Sequence, residues 1–282
     1  MRDIATPSAD DTQYLLANAR MYAVTDEAAD AWAHIFEWLS DRTGVALRLV
    51  DHPPPAKLSD LWQRPHLGCV MMCGWPIAQA ARKPHLLATP VPSPERYRDQ
   101  PIYYTDIVVR RDRDYKSLND TFGGTIGWTL EDSNSGFNML RHHLLGYRSS
   151  SQHRLYSRSV GHLINPLGAL RAVAEGTVDV APVDSFCHDL LKAANHPYTA
   201  LARTIETTAP SPMPALIASP DIPAATAEAV SAALLDAHND ARIAGALHAA
   251  RIRRFERPDA ARYRYTDHLA SLAEKAGYPI PA

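Results

Sequence analysis

Cysteine is scarce in this chain: only Cys69, Cys73 and Cys187 occur among its 282 residues. An odd set of three, without the spacing of a zinc finger, predicts buried and unlinked thiols. A basic excess is missing as well, because 29 Lys and Arg residues are balanced by 31 Asp and Glu residues. Proteins that coat nucleic acid normally carry such an excess, so nucleic acid is not an expected partner. A small anion is still compatible, since one pocket can be positive within a nearly neutral protein.

Long apolar segments are also missing. The longest apolar run covers residues 67–81 and contains Gly74, Pro76 and Gln79, whereas a membrane-spanning helix needs about 20 apolar residues. The protein is therefore not expected to be membrane-embedded. Residues 1–7 lack the apolar core of a secretory signal. As numbered, the chain is expected to be cytoplasmic, or periplasmic if a leader was trimmed.

Three signatures of enzymes are absent: the Walker loop, the dinucleotide fingerprint and the nucleophile elbow Gly-x-Ser-x-Gly. Ser135, His162 and Asp184 have the residue types of a catalytic triad, but the missing elbow argues against one. His142 and His143 are adjacent on a predicted helix and so face different directions, which makes a poor metal pair. No catalytic residue, metal or cofactor is expected.

Strand-like and helix-like patterns alternate along the chain, which indicates an α/β protein. Strands are predicted at residues 15–24, 45–50, 67–73, 103–110, 124–129 and 178–183. One helix has clear boundaries: Asn165 suits the N-cap, Pro166 the first helical position, and Gly176 the end. Residues 223–238, 240–250 and 266–276 are predicted to be helical.

Two proline-bearing stretches, one before Tyr103 and one at residues 210–214, are the best candidates for crossings between domains. Two crossings imply one discontinuous lobe and one continuous lobe. Lobe 1 is predicted to comprise residues 1–104 and 213–282, and lobe 2 residues 105–212.

The most informative stretch is residues 129–137, where a predicted strand leads through a turn of small residues into a helix. Backbone N–H groups at a helix start have no intrahelical acceptor, and the helix dipole adds partial positive charge. Ser133 and Ser135 could add hydroxyl donors to the same bound anion. The alternative is an ordinary helix cap made by Ser and Asn.

Four further residues lie at the ends of predicted strands. His162 could donate a hydrogen bond to an oxyanion, or it could be a structural histidine. Asp184 follows strand 178–183, where ligand-facing residues of open α/β sheets lie, or it could cap the next helix. Tyr22 and Trp75 could form aromatic walls of a pocket, or they could belong to the core or its rim.

Taken in order, several segments resemble the substrate-binding component of phosphate, phosphite and phosphonate ABC transporters. The resemblance runs from about Ala19 to Ser219. It rests on Met21-Tyr22 with Trp32, Cys73-Gly74-Trp75-Pro76, Ile107-Val108-Val109, residues 134–138, Gly161-His162 and residues 172–185.

This resemblance implies a two-lobed fold of the type 2 periplasmic-binding-protein class, with the ligand in the cleft between lobes. It implies that backbone amides at Ser133, Asn134 and Ser135 bind the oxyanion. It further implies a contact from His162 and an acid at Asp184 in lobe 2. Tyr22 and Trp75 would be the aromatic walls.

The expected function is the non-catalytic binding of a small phosphorus oxyanion, with ABC permease subunits as partners of a monomeric protein. The second crossing, Ser211-Pro212-Met213-Pro214, lacks the acidic residue expected of aminophosphonate binders, which favours an oxyanion without an amine. Two alternatives are an enzyme on the same scaffold acting on a small acidic metabolite and a cytoplasmic ligand sensor.

Overall fold

Two β-sheets, each flanked by helices, organise the chain in a computed structural model that describes residues 14–282. Within that range the strands are β1 (Leu15–Asn18), β2 (Leu47–Leu49), β3 (Leu67–Met72), β4 (His85–Pro92), β5 (Ile102–Tyr103), β6 (Thr105–Arg110), β7 (Thr125–Gly127), β8 (Arg158–Val160), β9 (Val180–Asp184), β10 (Ala202–Thr207), β11 (Ser211–Pro212), β12 (Ala215–Ala218) and β13 (Ile252–Glu256).

The α-helices are α1 (Asp26–Thr43), α2 (Leu58–Trp62), α3 (Gly74–Gln79), α4 (Leu140–Leu145), α5 (Pro166–Ala174), α6 (Ser185–Ala193), α7 (Pro197–Leu201), α8 (Ala224–Asp236), α9 (Ala244–Ala249) and α10 (Ala260–Lys275). A π-helix, Asn134–Met139, leads directly into α4. Among residues 14–282, none of the helices is long and apolar enough to cross a membrane.

The strand order is β13-β4-β12-β3-β1-β2 in the first sheet and β10-β6-β9-β7-β8 in the second. Three neighbouring strands run parallel in each sheet: β2, β1 and β3 in the first, and β8, β7 and β9 in the second. The remaining pairings are antiparallel. The predicted α/β class is confirmed, and the parallel strands direct their carboxyl ends to one edge of each sheet.

The chain crosses between the sheets twice, and the crossing segments pair with each other. Strands β5 and β11 form a two-stranded antiparallel ladder in which Tyr103 lies opposite Ser211 and Ile102 opposite Pro212. Every strand of the second sheet lies between these crossings in sequence, and those of the first lie outside them. We therefore propose that the lobe boundaries lie near residues 104 and 213.

The predicted boundaries of α5 are confirmed by its cap geometry. Asn165 Oδ1 accepts a hydrogen bond from Gly168 N at 2.8 Å, and Pro166 occupies the first helical position. Gly176 has a φ of 74°, the left-handed conformation that glycine adopts at little cost. The predicted state of the cysteines is confirmed too, because all three are free and buried.

Three stretches differ from the prediction. Strand β1 ends at Asn18 rather than at 24, because Tyr22 N and Ala23 N both donate to Ala19 O in a turn. Residues 74–76 begin α3 instead of forming a turn. Strand β13, which follows the predicted helix at 240–250, and its partner β4 were not predicted from the sequence. Strand β4 contains Pro90 and Pro92, and proline argues against a central strand.

At Gly68, strand β3 packs closely against β1. A Cβ atom there would lie 2.4 Å from Leu15 Cβ, next to the backbone of β1. We expect Gly68→Ala to lower the free energy of unfolding by about 1–3 kcal/mol through overpacking. Gly245→Ala is the matched control. Gly245 lies in α9, and a Cβ atom added there would meet no atom within 4 Å outside its own helix and chain neighbours. This substitution should raise the free energy of unfolding by about 0.5–1 kcal/mol. Urea denaturation measures both, and equal effects would contradict the close approach.

Candidate ligand-binding site

A cavity of about 240 Å³ lies where the carboxyl ends of the two sets of parallel strands face each other. Its lining comes from the segments that follow β1, β2 and β3 in the first sheet and β7, β8 and β9 in the second. Ligands of open α/β sheets bind at this edge. The cavity is therefore the candidate site, and both sheets contribute to it.

The turn after β7 and the helix that it starts form one wall. Ser133 caps the π-helix: its Oγ accepts from Gly136 N at 3.0 Å, and its own N–H donates to Leu130 O at 3.0 Å. Asn138 N donates to Ser133 O, five residues earlier, which is the π-helical spacing. Such single turns of π-helix are frequent at functional sites.

Gly136 allows this helix to rest directly on the end of β7. A Cβ atom at residue 136 would lie 1.9 Å from Thr129 Oγ1 and 2.8 Å from Thr129 Cβ. Thr129 N also donates to Gly136 O at 3.1 Å. The absence of a side chain at this one position thus fixes the helix start against the strand end.

Three residues of this wall carry hydrogen-bond donors that are candidates for a ligand contact. Thr129 is 3% exposed, and its Oγ1 has no hydrogen-bond partner among residues 14–282. Ser133 Oγ accepts from Gly136, which leaves its hydroxyl hydrogen free to donate. The N–H of Ser135 lies in the first helical turn, where no intrahelical acceptor exists. All three residues line the cavity.

Asp184 lies at the end of β9 and also caps α6. Its Oδ1 accepts from Phe186 N at 2.9 Å and from Cys187 N at 3.0 Å, and its Oδ2 lies 3.4 Å from Tyr22 Oη. Burial raises the pKa of Asp184 to about 7, although the two backbone N–H groups favour the charged form. Asp184 is thus a helix cap, as one reading predicted, and it also lines the cavity. Its contact with a ligand stays a prediction.

The other charged groups of the lining are Asp132 and Arg20. Burial raises the pKa of Asp132, while the hydroxyl of Ser59 opposes that shift. The Arg20 guanidinium donates to the backbone carbonyls of Ala56, at 2.8 Å, and of His52. The lining therefore holds two carboxyl groups and one guanidinium that is already engaged, an arrangement that disfavours a ligand with two negative charges.

The structure brings together Ser133, Ser135 and Asp184 of the predicted ligand contacts. Tyr22 and Asn134 are buried behind the lining. Asn134 Nδ2 donates to Tyr103 Oη at 2.8 Å and to Ser211 Oγ at 2.9 Å, so it ties the helix start to the crossing strands.

Trp75 and His162 are not brought to the cavity lining. Because residues 74–79 are helical, Trp75 packs in parallel with Phe137, with ring centroids 6.5 Å apart. The side chain of His162 is 55% exposed, and its Nε2 lies 2.8 Å from Glu131 Oε1. His162 was predicted from the sequence to follow a strand, and it does follow β8. Its backbone has a φ of 62°, and its side chain lies outside the cavity lining.

Several lining residues had no role in the sequence prediction. Thr129 and Asp132 lie within the stretch singled out for the helix start, and their proximity to it was a usable signal. Arg20, Leu58 and Ile164 lie in segments of unremarkable composition, so only the folded chain assigns them to the cavity. No group of three or more His, Cys, Asp or Glu side chains that could hold a metal occurs among residues 14–282.

Solved structures with the same fold are binding proteins. A binding-protein component of an ABC phosphonate transporter from Pseudomonas aeruginosa superimposes with a TM-score of 0.75 at 14% identity, covering 94% of this chain and 86% of its own. PhnD1 from Prochlorococcus marinus, in complex with methylphosphonate, has a TM-score of 0.72 at 12% identity, covering 93% and 99%. The aliphatic sulphonate binding protein SsuA from Escherichia coli gives 0.55 at 14% identity, covering 96% and 89%. The two-lobed fold that the sequence predicted is confirmed.

No curated protein sequence matches the chain. The family described as "ABC transporter, phosphonate, periplasmic substrate-binding protein" matches residues 22–263, which is most of the chain. This is a family of binding proteins of transporters rather than of enzymes, which excludes the alternative of an enzyme on the same scaffold. The chain belongs to the periplasmic substrate-binding proteins of ABC phosphonate transporters.

Proposed function

We propose that the cavity binds a small phosphorus oxyanion and that the protein delivers this ligand to an ABC permease. The observation that carries the proposal is the set of three candidate donors at Thr129, Ser133 and Ser135, one of them a buried hydroxyl without a partner among residues 14–282. Leaving a buried hydroxyl unpaired costs free energy, and an oxyanion is an acceptor that would satisfy it. The helix dipole favours the same negative charge.

The ligand retains one proton when it binds. The two carboxyl groups of the lining, Asp132 and Asp184, would repel a dianion more strongly in this partly enclosed cavity than in water. A phosphonate with one proton can instead donate it to the carboxylate of Asp184, or accept the proton of Asp184 when that group is neutral. One proton shared between the two groups therefore suits the site.

The family is periplasmic, so we propose a periplasmic location for this protein in place of the cytoplasmic one expected from residues 1–7, which lie outside the described residues. We further propose that it works as a monomer whose lobes close over the ligand. The β5–β11 ladder at the crossings supports the proposed closure, because these two short paired segments form the connection about which the lobes would rotate.

Removing the unpartnered hydroxyl tests the oxyanion site. Thr129→Val should weaken methylphosphonate binding about tenfold or more, because a hydrogen bond to a charged group contributes about 1.5–3 kcal/mol. Ser133→Ala should weaken binding in the same direction. Thr204→Val is the matched control, since Thr204 Oγ1 is also buried without a partner but lies on β10, away from the cavity. Isothermal titration calorimetry measures all three, and unchanged affinity in the first two variants would reduce residues 129–135 to a helix cap.

The affinity should depend on pH through Asp184. Because burial places the pKa of this group at about 7, raising the pH through 7 ionises it beside an anionic ligand. We expect methylphosphonate affinity to fall across pH 6–8.5, and sulfate, which has no proton to share, to compete poorly above pH 7, where Asp184 is ionised. Asp184→Asn keeps a helix-capping oxygen and should flatten the pH profile and admit sulfate. The same slope and the same sulfate rejection in both proteins would refute this role.

Closure should accompany binding. A ligand held between two lobes favours the closed form by its differential affinity for that form. Small-angle scattering at saturating methylphosphonate should therefore give a smaller radius of gyration than the ligand-free protein. The Thr129→Val protein at the same, now subsaturating, concentration should remain closer to the ligand-free profile. Identical profiles at proven saturation would indicate a rigid pocket.

A further inference from the structure

The cavity lining combines hydrogen-bonding side chains with large apolar ones. The donors and Asp184 come from the segments after β7 and β9, which are inner strands of the second sheet. The segments after β2 and β8, the edge strands of the two sheets, contribute Leu58, Trp62, Ile164 and Leu167 instead. The segments after these two strands thus contribute four large apolar side chains to the cavity lining, referred to below as the apolar wall.

These apolar side chains are incompletely covered by the protein. Leu58, Trp62, Ile164 and Leu167 are all only half-buried. The one polar atom of Trp62, its Nε1, donates to Met71 O at 3.0 Å, so the ring presents only carbon to its surroundings. Partly exposed apolar surface in a cavity is surface from which a ligand can displace water.

Ile164 is held at this wall by an unfavourable backbone conformation. Its φ is 69°, in the left-handed region that β-branched residues avoid. Asn165 N donates to Leu163 O at 2.8 Å around it, which is the tight three-residue turn with a positive central φ, a rare and strained form. Strained residues of this kind concentrate at binding sites, where the surrounding structure maintains them.

Core packing does not account for this conformation. Leu163 and Leu167, on either side, pack against the hydrophobic cluster beneath α5, whereas Ile164 belongs to none of the core clusters formed by residues 14–282. Its side chain instead lines the cavity. The strain therefore places an apolar group where a ligand, rather than the protein core, would cover it.

We propose that this wall is a subsite for the organic substituent of the ligand, with Ile164 as its specificity-determining residue. The inference rests on the proposed oxyanion site and adds the class of substrate: a phosphonate that carries an uncharged alkyl or aryl group larger than methyl. The volume agrees, because about 240 Å³ is many times the roughly 10–15 Å³ of cavity that one water molecule requires. Inorganic phosphate and phosphite have no substituent that could contact the apolar wall.

A homologous ligand series tests the subsite. Calorimetry with inorganic phosphate, phosphite, and methyl-, ethyl-, propyl- and butylphosphonate should show affinity rising roughly fourfold for each added CH₂ that leaves water. In Ile164→Gly the increment should fall below twofold, while affinity for phosphate and methylphosphonate stays within twofold of wild type. The melting temperature should not fall, since glycine adopts a positive φ without strain.

Two further variants keep the outcome interpretable. Ile164→Asn also tolerates the left-handed conformation and should lose the chain-length increment without shortening the side chain to a hydrogen atom. His66→Gly is the matched control, because it relieves a φ of 60° at an exposed residue. His66 precedes β3 and therefore lies at the amino end of that strand, whereas the cavity lies at the carboxyl end. It should leave the whole ligand series unchanged.

The possible failures are distinguishable. If methylphosphonate binds but longer chains bind no more tightly, the apolar subsite is refuted and the oxyanion site stands. If the increment per CH₂ persists in both Ile164 variants, Ile164 is not its determinant. If neither phosphate nor any phosphonate binds the wild-type protein, the proposed function itself is wrong, and the subsite falls with it.

Discussion

The contact between Gly136 and Thr129 is the constraint on which the candidate site depends. Any side chain at residue 136 would occupy the space of the Thr129 hydroxyl. With no side chain there, the helix begins against the end of β7, and Ser133 and Ser135 at its start line the same cavity as Thr129. The result is a group of donors held by backbone contacts rather than by flexible basic side chains. Donors fixed in this way lose little conformational entropy when an anion binds.

The electrostatics of the cavity follow from the burial of its charged groups. In the proposed function, a site of neutral donors with one engaged guanidinium and two carboxyl groups would discriminate by proton content rather than by total charge. The pKa of Asp184 is raised to about 7 because the side chain is buried at the junction of both sheets. The same burial that makes a dianion costly makes a shared proton favourable. The raised pKa of Asp184 and the proposed selectivity for a protonated oxyanion would therefore have one physical origin.

Elements whose signals lie within a few neighbouring residues were predictable from the sequence. Asn165, Pro166 and Gly176 mark α5 because capping, the fixed φ of proline and the freedom of glycine act within a few residues. The small-residue turn at 133–136 was predictable for the same reason. The prediction of Trp75 as a wall of the pocket was wrong. An apolar strand followed by Gly-Trp-Pro is typical of a turn, but here these residues begin α3, and the Trp75 ring stacks on Phe137. Ile164 had no local signal, because its left-handed conformation opposes its own preference.

The amino-acid sequence by itself determined the α/β class, the two crossings, the family and the turn that starts the helix at residue 134. These depend on periodicity, on caps and on the order of short motifs, all of which are properties of neighbouring residues. Only the tertiary structure decided that Thr129, Asp184, Leu58 and Ile164 line one cavity. They belong to four segments far apart in the chain, and the parallel pairing of strands in two sheets, which no local pattern specifies, is what brings their carboxyl ends together.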